Sequence, residues 1–344
     1  DFAPAMLDGA EAMIERWSRR PDGAALDLSV EMTRLTLDVL ERTIFSDGLG
    51  RDAEDIRRAM ATYFNAIGTI GLLDILGAPD FVPRPARFRV RATLRFFEAA
   101  IDSVIAARRR LLAVDPDGAP NDILTHLLNA LDDPHGMTEA EMRSNVLTFF
   151  AAGHETTGNA LSWASFLISQ SPGWRARLEA EADREFARPV AGLAERLVET
   201  RAVIEEAIRL YPPIAAISRV ALGPDELGEK KVKRGSLIVV SPYVLHRREG
   251  LWEDPAAFDP RRFLGEARAK IDRFAYLPFG AGPRTCIGAA FASQEATLAL
   301  ASVVRRFRFE LEPGYAVWPL LRVTLRPQGG LPMRLWRRER ATIG

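Results

Sequence analysis

Cys286 is the only cysteine in this 344-residue chain, and it stands in the stretch Phe279 to Gly288, F-G-A-G-P-R-T-C-I-G. Two glycines and a proline precede it, Arg284 lies two residues upstream, and Gly288 follows. The run from Ala289 to Arg305 has helical periodicity, which puts Cys286 at the mouth of a helix N-terminus. Free backbone N–H groups and the positive end of the helix dipole favour an anionic sulfur there. A thiolate held by a rigid loop beside a cation can serve as a metal ligand. The plainer alternative is a buried core cysteine, the usual fate of a lone thiol, and Cys286 taken alone leaves both open.

A second set of chemically capable residues lies in V-L-T-F-F-A-A-G-H-E-T-T-G-N-A-L-S-W, a segment that is apolar on nearly every side. Glu155, Thr156 and Thr157 put an acid and hydroxyls into that setting, where burial is costly unless each group is paired. Ala152 and Gly153 leave a groove in which a small ligand could press against the backbone. His154-Glu155 opens the zinc-protease pattern H-E-x-x-H, but position 158 is Gly, so the second zinc ligand is absent. His154 is therefore not assigned a catalytic role. A purely structural Thr156 would bond back to a carbonyl one turn earlier.

The spacing F-x-x-G-x-R-x-C-x-G resembles the haem-binding signature of the cytochrome P450 family, matched at Phe279, Gly282, Arg284, Cys286 and Gly288. A-G-H-E-T-T resembles the oxygen-activating motif of that family's central helix. The resemblance implies haem b (iron protoporphyrin IX) with Cys286 as the axial iron ligand and Ala152 and Gly153 against the cofactor. It makes Glu155 and Thr156 the proton relay to oxygen, and Arg219 and Arg284 the partners of the haem propionates. Guanidinium groups suit that task because they stay charged and bond carboxylates bidentately. Ile214, Ala215, Ala216 and Ile217, after Pro212-Pro213, match the segment that turns apolar side chains toward substrate.

Glu206 and Arg209 are three residues apart on a helical pattern and can pair, although any helix may contain E-x-x-R. F-D-P-R-R-F, Phe258 to Phe263, resembles the family's P-E-R-F segment, with Arg261 in the Glu position. By that resemblance Glu206, Arg209 and Arg262 form a buried ionic triad of structural function. Arg261 lies outside it, so the departure is tolerable.

These residues need elements to position them. Helical patterns cover residues 5–20, 28–45, 52–70, 85–113, 121–131, 173–186 and 196–210. The longest runs from a capping box at Thr138 and Glu141 to Gln170 without a breaker, and its apolar middle marks a helix buried through the centre. The charged 173–186 pattern reads as solvent-facing. Short strands are expected at Ile217 to Leu222, Ser236 to Ser241, Leu321 to Arg326 and Met333 to Trp336. Arg108, Arg109 and Arg110 end one helix as a basic cluster, either a solvated helix end or a dock for an acidic electron donor.

Apolar residues at 47% and charged residues at 27% describe an ordinary globular chain, and 46 basic against 46 acidic residues create no field for nucleic acid or an anionic membrane. One cysteine excludes disulfides and multi-cysteine metal sites, as suits a reducing, cytoplasmic compartment. No apolar run has membrane-spanning length.

The expected fold is mainly α with minor β, a single cytochrome P450 domain over 1–344. The chain opens like the middle of a helical domain, so further helices and the first strands of the main sheet are expected to be missing before Asp1. The resemblance implies reductive activation of O2 and insertion of one oxygen atom into a small apolar organic substrate. Electrons would come from a separate partner of the ferredoxin or flavodoxin type. Two alternatives stand beside it: a peroxide-using haem-thiolate enzyme, against which Glu155-Thr156 argues, and a truncated haem-binding domain without activity.

Overall fold

A computed structural model describes residues 2–46, 85–131, 133 and 136–338. Its helices are α1 (Ala3–Ser18), α2 (Leu28–Leu40), α3 (Pro85–Val114), α4 (Ile123–Asn129), α5 (Glu139–Ser169), α6 (Pro172–Glu185), α7 (Leu193–Arg196), α8 (Val198–Leu210), α9 (Pro242–Leu245), α10 (Gly265–Lys270) and α11 (Ala289–Val304). The strands are β1 (Ala24–Asp27), β2 (Ile217–Val220), β3 (Asp225–Leu227), β4 (Lys230–Val232), β5 (Leu237–Val240), β6 (Phe307–Leu311), β7 (Pro319–Leu321), β8 (Leu325–Pro327) and β9 (Pro332–Arg337). The architecture is mainly α with minor β, as expected. The helical pattern at 52–70 lies outside the described residues.

The centre is α5. Thr138 accepts from the Glu141 N–H while the Glu141 carboxylate takes the Thr138 N–H, the capping box its sequence predicts. From His154 to Ile168 almost every residue of α5 is buried. α2 packs along it so closely that a Cβ added at Gly158 would lie 3.0 Å from the Thr33 Cα and 3.1 Å from the Thr33 nitrogen. The glycine that breaks the zinc-protease pattern thus has a packing reason. Around α5, the apolar faces of α1, α2, α6, α8 and α11 close one core with β6 and β9.

Strand β9 lies between β1 and β6, antiparallel to both, and the remaining strands form antiparallel pairs β2–β5, β3–β4 and β7–β8. The expected strand Leu321 to Arg326 is instead a tight hairpin, because the Arg322 N–H donates to the Thr324 carbonyl and Leu321 pairs with Leu325.

Two further expectations are corrected. Helix α6 is not simply solvent-facing. Its Leu178, Glu179, Glu181, Ala182 and Glu185 are buried, and Glu181 accepts from the N–H groups of Glu199 (2.7 Å) and Thr200 (2.8 Å), holding the first turn of α8. Nor is Arg108 part of a surface cluster. It is buried and bonds Asp122 through both terminal nitrogens, at 2.5 and 2.8 Å, while Arg109 pairs with Glu139. Burial alone would raise the Asp122 carboxyl, but bonds from Arg108, Ser46 and Thr125 outweigh it and hold it below the usual range.

Candidate functional site

The site is built from α8 outward. Glu206 and Arg209, one turn apart, are both fully buried and pair bidentately: Nε to Oε2 at 2.6 Å and Nη2 to Oε1 at 2.8 Å. The remaining donors of Arg209 reach the carbonyls of His246 (2.8 Å), Pro255 (2.8 Å) and Ala257 (3.0 Å). Every N–H of the guanidinium is thereby satisfied. Arg262 approaches Glu206 at 3.5 Å, and the Asp259 N–H donates to it at 2.8 Å. Arg261 turns outward onto Asp259. The three residues expected as a triad are therefore together.

From this cluster a polar path leads to the cysteine loop. The Leu277 N–H donates to His246 Nε2 at 2.9 Å, which fixes the proton of the imidazole on Nδ1. Burial pushes the His246 pKa down to about 4, so the ring is neutral. The Tyr276 hydroxyl donates to the Glu205 carbonyl. Two residues past Leu277, the Phe279 carbonyl accepts the Cys286 N–H at 2.9 Å, closing the loop. Gly280 and Gly282 both have φ +74°, a backbone region that L side chains rarely adopt, which is why this loop needs glycine there.

Cys286 is exposed, three residues before α11, so the core-cysteine alternative does not describe it. A Cβ at Gly288, the N-cap of α11, would stand 3.9 Å from Sγ. Arg284 is exposed on the same loop. Ile217 of β2 packs toward the loop, its Cδ1 lying 3.7 Å from the Cβ position of Gly280. Arg219 is exposed on that strand with its guanidinium on the Ser218 carbonyl. Of the neighbouring residues Ala216 is exposed, Ile214 half-buried and Ala215 buried, its carbonyl held by the Ser241 hydroxyl.

On α5, Ala152 is exposed, whereas the space beside Gly153 is taken by Leu40 of α2, so that part of the expected groove is filled. The Thr156 hydroxyl donates to the Ala152 carbonyl at 2.8 Å, the back-bond available to any helical threonine, and keeps lone pairs for a second partner. Glu155 is buried, and burial raises its pKa against the opposing Thr324 hydroxyl and Arg326 charge. Its Oε1 accepts from Thr324 Oγ1 at 2.7 Å, with Arg326 at 3.9 Å, while Oε2 is buried without a hydrogen-bond partner among the described residues. His154 is buried and neutral, its pKa lowered to about 4 by burial, and its Nδ1 lies 3.0 Å from the Phe150 carbonyl.

Sequence reasoning did not single out His246, Thr324 or Glu295. Glu295 on α11 is buried with neither carboxyl oxygen hydrogen-bonded among the described residues, and burial raises its pKa well above the ordinary value. His246 and Thr324 act from short loops with no motif of their own, so only their contacts identify them.

The donor set fits a haem. It offers an exposed thiol on a loop fixed by a backbone bond and two constrained glycines, with exposed arginines on that loop and on β2 for carboxylates. Among the described residues no group of three or more His, Cys, Asp and Glu could hold a metal ion, and no helix is long and apolar enough to cross a membrane.

The chain is similar to known proteins over nearly its whole length. It is 36% identical over 348 residues to a cyclooctatin synthase of Streptomyces melanosporofaciens, spanning 97% of this chain and 72% of that protein. A pentalenene oxygenase of Streptomyces avermitilis is 31% identical over 341 residues, with 97% and 73% covered. The solved haem domain of cytochrome P450DA superposes with a TM-score of 0.85 at 28% identity, over 98% of this chain and 73% of that one. Residues 1–331 match the family model described as Cytochrome P450, and the chain belongs to that family.

Proposed function

We propose that this chain, as one domain over residues 1–344, is a haem-thiolate monooxygenase that places one atom of O2 into a small apolar organic substrate. The observation that carries the reading is the exposed Cys286, held by the Phe279 carbonyl on a loop tied back to the Glu206–Arg209 pair through Leu277 and His246. Two relatives support the substrate class by their names, the pentalenene oxygenase and a cyclooctat-9-en-7-ol 5-monooxygenase of Streptomyces melanosporofaciens that is 33% identical.

Bound at Cys286, haem b supplies the activation of dioxygen, with electrons from a separate ferredoxin- or flavodoxin-type partner. The chain's residues do the rest. Cys286 would supply the sulfur that holds the iron, while Phe279, Gly282 and Gly288 shape the loop that presents it. Arg219 and Arg284 would pair with the propionates, and Ala152, the exposed residue of the Ala152-Gly153 pair, would face the cofactor from the helix side, since Leu40 fills the space beside Gly153. Ile214, Ala216 and Ile217 would give substrate an apolar wall, with Ala215 buried behind them. Glu155 carries a proton on its unpartnered Oε2, and Thr156 orients the acceptor with its hydroxyl. Glu206, Arg209 and Arg262 hold the frame behind the thiolate.

The test is isotopic. With haem, a reductase system and an apolar alkene, labelled O2 should place one labelled atom in the product. Product carrying oxygen only from added peroxide would replace this reading with the peroxide-using one.

A further inference from the structure

The Glu155 carboxyl is not held by its motif neighbour. Among the described residues no hydrogen bond joins Glu155 to Thr156; the partner of Glu155 is Thr324, 169 residues further along the chain. We propose that Thr324 is a positioning residue for proton delivery, committing Oε1 of Glu155 so that Oε2 alone takes up and releases the proton. This rests on the reading of Glu155 as a relay.

The direction of the bond follows from what surrounds it. Asn159, one turn beyond Glu155 on α5, donates its Nδ2 to Thr324 Oγ1 at 3.1 Å. With that lone pair occupied, the single hydroxyl hydrogen of Thr324 goes to Glu155 Oε1 at 2.7 Å. A proton on Oε1 would set two hydrogens against each other, or turn the Thr324 hydroxyl hydrogen away from the acceptor it has among the described residues. The protonated acid therefore carries its hydrogen on Oε2, the oxygen with no hydrogen-bond partner among the described residues.

The hairpin that carries Thr324 cannot drift. Trp163 Nε1 of α5 donates to the Leu325 carbonyl at 3.1 Å, and the Leu325 N–H donates to the Pro213 carbonyl at 2.8 Å. Asn159, Trp163 and Glu155 thus bind the same turn from one helix, and both Thr324 and Asn159 are buried. Arg326, from the same hairpin, is the charged group at ion-pair distance from Glu155 among the described residues. Burial favours the acid, while Arg326 and the Thr324 hydroxyl favour the carboxylate, so the hairpin keeps the group able to change charge.

The experiment compares Thr324→Val and Thr324→Ala, which remove the donor, with Thr324→Ser, which keeps it, and uses Glu155→Gln as reference. The first readout is infrared: the protonated Glu155 C=O band, assigned by its loss in Glu155→Gln, should move to higher frequency in the donor-free variants and return in the serine variant. The second is the pH dependence of product formed per reduced cofactor consumed, whose midpoint should move upward without the donor and return with serine. A band and a midpoint unchanged in a folded donor-free variant, with Glu155→Gln uncoupled, would overturn the role of Thr324 and leave the relay standing. If Glu155→Gln is itself fully coupled, the relay reading fails, and the inference with it.

Discussion

Arg209 and His246 bind each other twice: the guanidinium donates to the His246 carbonyl at 2.8 Å, and the imidazole Nδ1 lies 3.2 Å from the Arg209 carbonyl, to which it donates. Both side chains are fully buried. Because Nε2 then takes the Leu277 N–H, the end of α8 and the approach to the cysteine loop share one imidazole. The E-x-x-R pair is therefore coupled to the cysteine loop by geometry as well as by sequence order.

That coupling has a pH signature. His246 stays neutral down to about pH 4, while its unfolded counterpart titrates near 6.5. As pH falls, the unfolded chain takes the proton first, so stability is complete above 6.5 and is lost toward 4. Linkage puts this loss at about 2 kcal/mol between pH 7 and pH 5. His246→Asn should be less stable at pH 7 yet lose about 2 kcal/mol less on acidification, read as denaturant midpoints at the two pH values. The raised carboxyls Glu155 and Glu295 work in the opposite sense but are common to both proteins, so the difference isolates His246. Identical pH dependence in the two would show that the ring is charged or exposed.

Arg209 should be irreplaceable. Arg209→Ala leaves Glu206 buried without its bidentate partner and three carbonyls without donors, a loss of roughly 3–5 kcal/mol. Arg209→Lys should rescue little, since an ammonium cannot span both the carboxylate and the carbonyls of His246, Pro255 and Ala257. Soluble yield and haem content measure this; wild-type values for either variant would contradict it.

Gly158 should tolerate no side chain. Gly158→Ala presses a methyl on the α2 backbone at Thr33 and should cost about 1–3 kcal/mol. Gly173→Ala is the control, because nothing lies within 4 Å of its added Cβ. Equal melting temperatures for the two variants would show that α2 yields freely.

Much of this was legible in the sequence. The helical period and the Thr138 capping box place α5 within a residue at its start, and the fixed offsets around Cys286 single out the loop that the structure leaves exposed. The hairpin at Thr324 was hidden, because its alternation continues through the turn and nothing local signals the Arg322–Thr324 bond. The charged pattern of α6 reads as solvated, whereas Glu181 turns inward to hold the N–H groups at the start of α8, a contact no local pattern signals. His246 was invisible for a related reason: its importance lies in two contacts with backbone 37 and 31 residues away.

Proton delivery is tested by uncoupling. Thr156→Ala and Glu155→Gln should retain haem and substrate binding while product per reduced cofactor falls several-fold and peroxide accumulates, general acid–base assistance being worth about 10²–10⁴ in rate. Full coupling in both variants would leave Thr156 with only its bond to the Ala152 carbonyl, a structural role.

The central claim, that Cys286 is the axial ligand, has one direct measurement. The reduced, haem-loaded protein under carbon monoxide should show its Soret band at the far-red position of a thiolate-ligated haem. Cys286→His should abolish that band while haem still binds. A far-red band that survives in Cys286→His would contradict the assignment, since the chain has no other thiol to supply it.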